Sequence, residues 1–102
     1  MEIQFTGKNV KVSQTSKNYI ERKLDKIVRG LPTVLETKVD ITKQKVRPAN
    51  KRYRVQVTID SNGTLLRGDE TDGTLYGAIN TIVETMERQA ERFRNKLHHP
   101  YK

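Results

Sequence analysis

The sequence predicts an α+β domain in the order strand, helix, three strands, helix, with both helices on one face of a single sheet. Three observations carry this expectation. Two stretches space their apolar residues helically, four shorter ones carry strand patterns between turn signals, and only one sheet is available to bury both helices. The chain of 102 residues matches one ordinary domain. Hydrophobic residues at 33% and charged residues at 31% fit a thin two-layer globule rather than disorder.

Ile3 and Phe5 alternate with Glu2 and Gln4 before Gly7, the pattern of a short half-buried strand ending in a turn. Ser13 is placed to cap a helix in which Tyr19, Ile20, Leu24, Ile27 and Val28 recur until Gly30 and Pro32 stop it. Leu35, Val39 and Ile41 then alternate with polar residues. Tyr53, Val55, Val57 and Ile59 do so again beyond Arg47-Pro48-Ala49-Asn50, which makes a hairpin of two long strands. Asn62-Gly63 is the signal of a tight turn into a third strand of the meander, Thr64-Leu65-Leu66-Arg67. After Asp69-Glu70-Thr71-Asp72-Gly73, the residues Leu75, Ile79, Ile82, Val83, Met86, Ala90, Phe93 and Leu97 keep a helical period. No repeat or linker interrupts the chain, so residues 1–102 are expected to form one domain, with 97–102 as a frayed tail.

Twenty Lys and Arg against twelve Asp and Glu give a net charge of +8, which favours polyanionic partners, nucleic acid or an anionic membrane surface. There is no cysteine, which excludes disulfides and Cys-based zinc sites. Met1-Glu2-Ile3-Gln4-Phe5 has no basic stretch leading into an apolar run, and no apolar run is long enough to span a bilayer. A soluble, unexported, cytoplasmic chain is the expectation.

On a helical wheel the last helix separates its charges by sign. Arg88, Arg92 and Lys96 form one stripe, and Glu84, Glu87 and Glu91 line the neighbouring flank. In the first helix Arg22, Lys23, Lys26 and Arg29 cluster away from Ile20, Leu24 and Ile27, with Glu21 and Asp25 to the other side. Two basic stripes on adjacent helices could form one surface, although charged helix faces are usually just solvated and Glu84 with Arg88 makes an ordinary i, i+4 pair. The hairpin connection adds Lys43, Lys45, Arg47, Lys51, Arg52 and Arg54 without an intervening acid. The aromatics fall mostly at core-facing positions, so no stacking platform is expected; that favours recognition of folded RNA by shape and phosphate geometry over reading of splayed bases.

Groups for catalysis are scarce. His98 and His99 are adjacent near the expected tail and make a poor chelating pair. Asp69, Glu70 and Asp72 precede a helix whose N-terminal end favours carboxylates, so capping is the simpler role. Gly7-Lys8-Asn9 lacks the rest of a phosphate-cradling loop. No enzyme activity, cofactor, metal or small-molecule substrate is expected.

Thr6-Gly7-Lys8-Asn9-Val10-Lys11-Val12-Ser13, Leu75-Tyr76-Gly77-Ala78-Ile79-Asn80 and Met86-Glu87-Arg88-Gln89, in this order and spacing, resemble segments of the ribosome hibernation-promoting factors, also described as ribosome-associated inhibitor or protein Y-like proteins. The resemblance covers nearly the whole chain. It implies a four-stranded sheet with two helices on one face, as in double-stranded-RNA-binding domains. It also implies a place in the decoding region of the small ribosomal subunit, across the paths of messenger and transfer RNA. The family's RNA contacts carry over to Lys23, Lys26 and Arg29 and to Arg88, Arg92 and Lys96, the same stripes the wheel finds. Arg22, Lys45, Arg47 and Lys51 form a secondary set of RNA-binding candidates. Thr85 stands where relatives have a basic residue, and Gly77 where they often have Ala or Thr, a change expected to loosen the helix by up to about 1 kcal/mol. Long members add a C-terminal dimerising domain, so this is either a short member or a truncated long one.

The resemblance thus implies a translation inhibitor that promotes ribosome hibernation, with the small subunit's RNA and its ribosomal proteins as partners. Two rivals stay open: a generic double-stranded-RNA binder, and a protein-interaction adaptor using Glu84, Glu87 and Glu91.

Overall fold

The elements follow the predicted order: β1 (Ile3–Lys8), α1 (Gln14–Arg29), β2 (Val34–Lys43), β3 (Tyr53–Ser61), β4 (Thr64–Asp72) and α2 (Leu75–His98). The computed structural model describes residues 2–45 and 51–98. The strands form one sheet in the order β1-β2-β3-β4. β1 lies parallel to β2, pairing Ile3 with Thr37 and Lys8 with Thr42, and α1 makes the crossover that a parallel pair requires. The remaining pairs are antiparallel.

The turn between β3 and β4 follows from its sequence. Asn62 and Gly63 take φ values of 52° and 94°, the left-handed region that a two-residue hairpin turn of the right twist demands. Asp60 Oδ1 accepts a hydrogen bond from the Gly63 N–H at 2.8 Å and fixes the turn.

Both helices begin at side-chain caps. Ser13 Oγ accepts from the Ser16 N–H at 3.1 Å, and Thr74 Oγ1 accepts from the Gly77 N–H at 3.0 Å. Asp72 supports the second cap by accepting from the Thr74 N–H at 3.1 Å. A Cβ at Gly77 would clash with Asp72 Oδ2. This glycine, expected only to loosen the helix, is therefore what lets the Asp72 carboxylate fold back over the start of α2.

The core lies between one sheet face and the helices. Val39 and Ile41, then Val55, Val57 and Ile59, then Leu66 supply the sheet side. Ile20, Leu24 and Ile27 of α1 and Ala78, Ile79, Ile82, Val83, Met86 and Ala90 of α2 cover them. Gly68 brings α2 close to β4, since a Cβ there would meet Ile82 Cδ1 and Met86 Sδ at 2.8 Å each. On the opposite face the exposed and half-buried positions include Lys8, Lys38, Arg54 and Arg67 together with Glu36, Asp40, Asp60 and Asp69, cations matched by carboxylates.

Three details depart from the sequence pattern. Leu35 is 63% exposed, because a register irregularity between Val34 and Glu36 turns it out of the alternation, and Val34 packs against the core instead. β4 runs on to Asp72, beyond the expected Thr64–Arg67 and through the acidic segment expected only to cap the last helix. α2 runs through His98, two residues into the segment expected to fray. The rest of that tail, 99–102, lies outside the described residues, as does 46–50 with the candidate Arg47.

Candidate nucleic-acid interface

The helical layer sorts its cations onto two separate flanks. α2 turns one side toward α1: the Tyr19 hydroxyl donates to Asn80 Oδ1 at 2.6 Å, and the rings of Tyr19 and Tyr76 meet edge-to-face with centroids 5.0 Å apart. Its other side faces β4, where the Thr85 hydroxyl donates to Glu70 Oε2 at 2.7 Å and Arg88 Nη2 donates to Thr85 Oγ1 at 3.3 Å. Arg88, Arg92 and Lys96 follow one another at i, i+4, i+8, so the whole stripe runs along the β4 side of α2.

Lys23 and Lys26 sit instead in the groove between the helices. This groove, about 350 Å³ in volume, also holds Arg94, Glu87 and Glu91 above an apolar floor that includes Val83 and Ala90. The acidic flank of α2 therefore stands between the two basic sets. The expectation that both stripes join in one surface is corrected: the acids face the α1 cations across the groove, and the α2 stripe is on the far side.

Arg29, at the C-terminal end of α1, bridges to Asp25 at 2.9 Å with its side chain 79% exposed. Lys26 and Arg29 also lie in the last turn, where cations complement the helix dipole, so part of their presence has a structural reason. Arg22 and Lys23 lie over the Tyr19 ring at 5.8 and 5.5 Å from its centroid. Among the described residues Arg92 and Lys96 form no ion pair.

The hairpin cations do not act as one group. Arg54 binds Asp69 on the open sheet face through two hydrogen bonds, Nε to Oδ1 at 2.9 Å and Nη2 to Oδ2. The hydrogen bond and charge of Asp69 raise the Arg54 pKa, and the Arg54 hydrogen bond holds the Asp69 carboxyl below the ordinary carboxylate value against a smaller desolvation effect. Arg54 is thus neutralised locally. Lys43 lies 5.9 Å from the Tyr53 ring centroid, and Lys45, Lys51 and Arg52 remain exposed. Gln44 ties the strand ends together, its N–H donating to the Arg52 carbonyl at 2.6 Å and its side chain to the Lys51 carbonyl at 2.8 Å.

The acidic run is dispersed by the pleat of β4. Asp69 points to the open face and Arg54, whereas Glu70 and Asp72 point to the helix side, to Thr85 and to the α2 cap. Capping is thus the role of Asp72 alone.

Sequence reasoning missed Tyr76. Its side chain is 43% exposed, beside the half-buried Tyr19, so an aromatic surface does exist at the start of α2. The available signal was its place beside Leu75 in the first helical turn, where an apolar arc has not yet been closed over by neighbours. No helix among the described residues is long and apolar enough to cross a membrane.

A family model described as Sigma 54 modulation protein / S30EA ribosomal protein matches residues 3–98. The chain is 30% identical over 93 residues to a ribosome hibernation promotion factor of Deinococcus radiodurans, covering 91% of this chain and 49% of that protein. A ribosome hibernation promotion factor of Picosynechococcus sp. is 29% identical over 98 residues, with 94% and 50% covered. The chain spans about half the length of the curated relatives it matches. The crystal structure of the Thermus thermophilus Protein Y N-terminal domain superposes with a TM-score of 0.76 at 28% identity, over 91% of this chain and 99% of that one. A ribosomal subunit interface protein from Coxiella burnetii shares the fold at 17% identity, with a TM-score of 0.77 over 94% and 100% of the two chains.

Proposed function

The chain belongs to the Sigma 54 modulation protein / S30EA ribosomal protein family, and on that premise we propose that it binds the small ribosomal subunit in its decoding channel and holds the ribosome inactive. The observation that carries this reading is the division of the cations into two sets kept apart by acids. Lys23, Lys26 and Arg29 lie on α1, Arg88, Arg92 and Lys96 lie on the β4 side of α2, and Glu87 and Glu91 lie between them. A module that lies on one RNA surface needs one contiguous basic face. Cations in two separate sets suit a body inserted between RNA walls, and the molecule is elongated, 46 × 26 × 19 Å along its principal axes.

Such a body blocks messenger and transfer RNA by occupancy alone. Phosphate contacts give affinity and steep salt dependence but carry no sequence information, so selectivity comes from the shape of the RNA cleft and of the ribosomal proteins beside it. The generic double-stranded-RNA binder is disfavoured by the divided charge. The adaptor reading is disfavoured because Glu87 and Glu91 face Lys23 and Lys26 across the groove, with Arg94 beside them on α2.

The test is co-sedimentation with purified bacterial small subunits over a salt series, with free duplex RNA as competitor. Saturable binding that duplex RNA does not displace is the expected result. Displacement by duplex RNA would return the protein to the generic class.

A further inference from the structure

Resting on that RNA-binding reading, we propose that Tyr76 is a stacking platform for one unpaired nucleotide, with Arg22 and Lys23 placed to neutralise its phosphates. Tyr76 sits in the first turn of α2, and its exposure is high for a large ring in a protein with few aromatics. The ring is held in place from α1: the Tyr19 ring meets it at an interplanar angle of 74°, and the Tyr19 hydroxyl is anchored on Asn80 at 2.6 Å. A preorganised aromatic loses little conformational freedom when a base stacks on it.

The surrounding chemistry selects a nucleotide over a plain apolar partner. Arg22 and Lys23 lie within 5.8 and 5.5 Å of the Tyr19 ring centroid, so the aromatic pair has two cations at its α1 side. Asn80, with its amide oxygen committed to Tyr19, offers its amide N–H groups as donors to a base edge. A base within a duplex is already stacked and paired, so the ligand this arrangement admits is a flipped or single-stranded residue. The interface then combines phosphate contacts along the helices with one base contact at the α1–α2 end where Tyr76 stands.

The experiment measures binding of a fluorescein-labelled oligoadenylate hexamer and of a duplex of the same length. It compares the wild type with Tyr76→Phe, Tyr76→Leu and Tyr76→Ala, with each variant's fold checked by thermal melting. Phe keeps the π-face and should bind the hexamer like the wild type. Leu keeps apolar bulk without it and should bind about tenfold more weakly, the loss of one stacked base, with duplex binding unchanged. Hexamer binding by folded Tyr76→Leu equal to the wild type would overturn the proposal, even if Tyr76→Ala fails to fold. Sedimentation with small subunits separates this failure from that of the ribosome reading. Wild-type binding to small subunits with no Tyr76 dependence on the hexamer rejects only the stacking site. Tyr76-dependent hexamer binding without small-subunit binding rejects only the ribosome reading and supports the stacking site.

Discussion

The Thr85 hydroxyl donates to Glu70 at 2.7 Å and so fixes a carboxylate on β4 beside the basic stripe of α2. Arg88 Nη2 reaches the same hydroxyl at 3.3 Å. Thr85 thus holds an anion next to Arg88 through its hydroxyl.

Glu70→Gln removes that negative charge while keeping an oxygen for Thr85. Affinity for small subunits should rise, by about 0.2–1 kcal/mol as for an exposed charge interaction, and the gain should fade as salt is added. Salt-dependent sedimentation checks it, and an equal or lower affinity at low salt would contradict the proximity argument.

The two-flank arrangement predicts that each basic set is needed separately. Arg88→Ala with Arg92→Ala and Lys96→Ala should lower the slope of log affinity against log salt by about 2, one phosphate contact contributing roughly 0.7–0.9. Lys23→Ala with Lys26→Ala should lower it by a further increment in the combined variant. Single Arg29→Ala should matter less than single Arg92→Ala, because Arg29 already bridges Asp25. A loss confined to one flank would argue for a one-sided contact surface.

Gly68→Ala should destabilise the fold by about 1–3 kcal/mol, the usual cost of overpacking a filled core. The added Cβ would meet Ile82 Cδ1 and Met86 Sδ at 2.8 Å, and both side chains are fully buried, so they must shift within a filled core. Gly63→Ala meets nothing within 4 Å, but it forces a side chain onto a φ of 94° and should cost about 1–2 kcal/mol. Urea unfolding with an unchanged slope distinguishes these effects from partial unfolding of the native state.

Acid should selectively weaken the open sheet face. The folded Asp69 pKa is depressed, chiefly by its hydrogen bond from Arg54, so its contribution is complete above the ordinary aspartate value near 3.9 and is lost as pH falls through the folded value. Asp69→Asn should therefore be less stable than the wild type by a constant margin at neutral pH, a margin that closes below about pH 4. The contribution is small because the pair is solvent-exposed, and high salt should shrink it further.

Much of the fold was legible because its signals are local. Ser13, Asn62-Gly63 and the apolar period of α2 each specify their own geometry within a few residues. Leu35 was misread because alternation assumes an unbroken register, and the irregularity at Val34/Glu36 depends on how β2 meets β3. The end of β4 was misread because Asp69 and Thr71 fall on the polar face while Glu70 and Asp72 on the helix side satisfy Thr85 and the α2 cap, which no hydrophobic pattern reveals. At the candidate interface, a wheel gives the angle of Arg88 or Lys23 about its own helix but not the rotation of one helix against the other. That rotation separates the two basic sets and brings Tyr76 to Tyr19.

β1 is bonded to the sheet along β2 only, in parallel, and after a crossover that includes all of α1. Closing that loop is costly before the meander exists to receive it, so β2, β3 and β4 are expected to assemble as a local unit before β1 docks onto their edge. β1, although it precedes the meander in the chain, should thus be the last strand to become structured. Its amides should exchange with solvent sooner than those of β3, which has a neighbour on both sides.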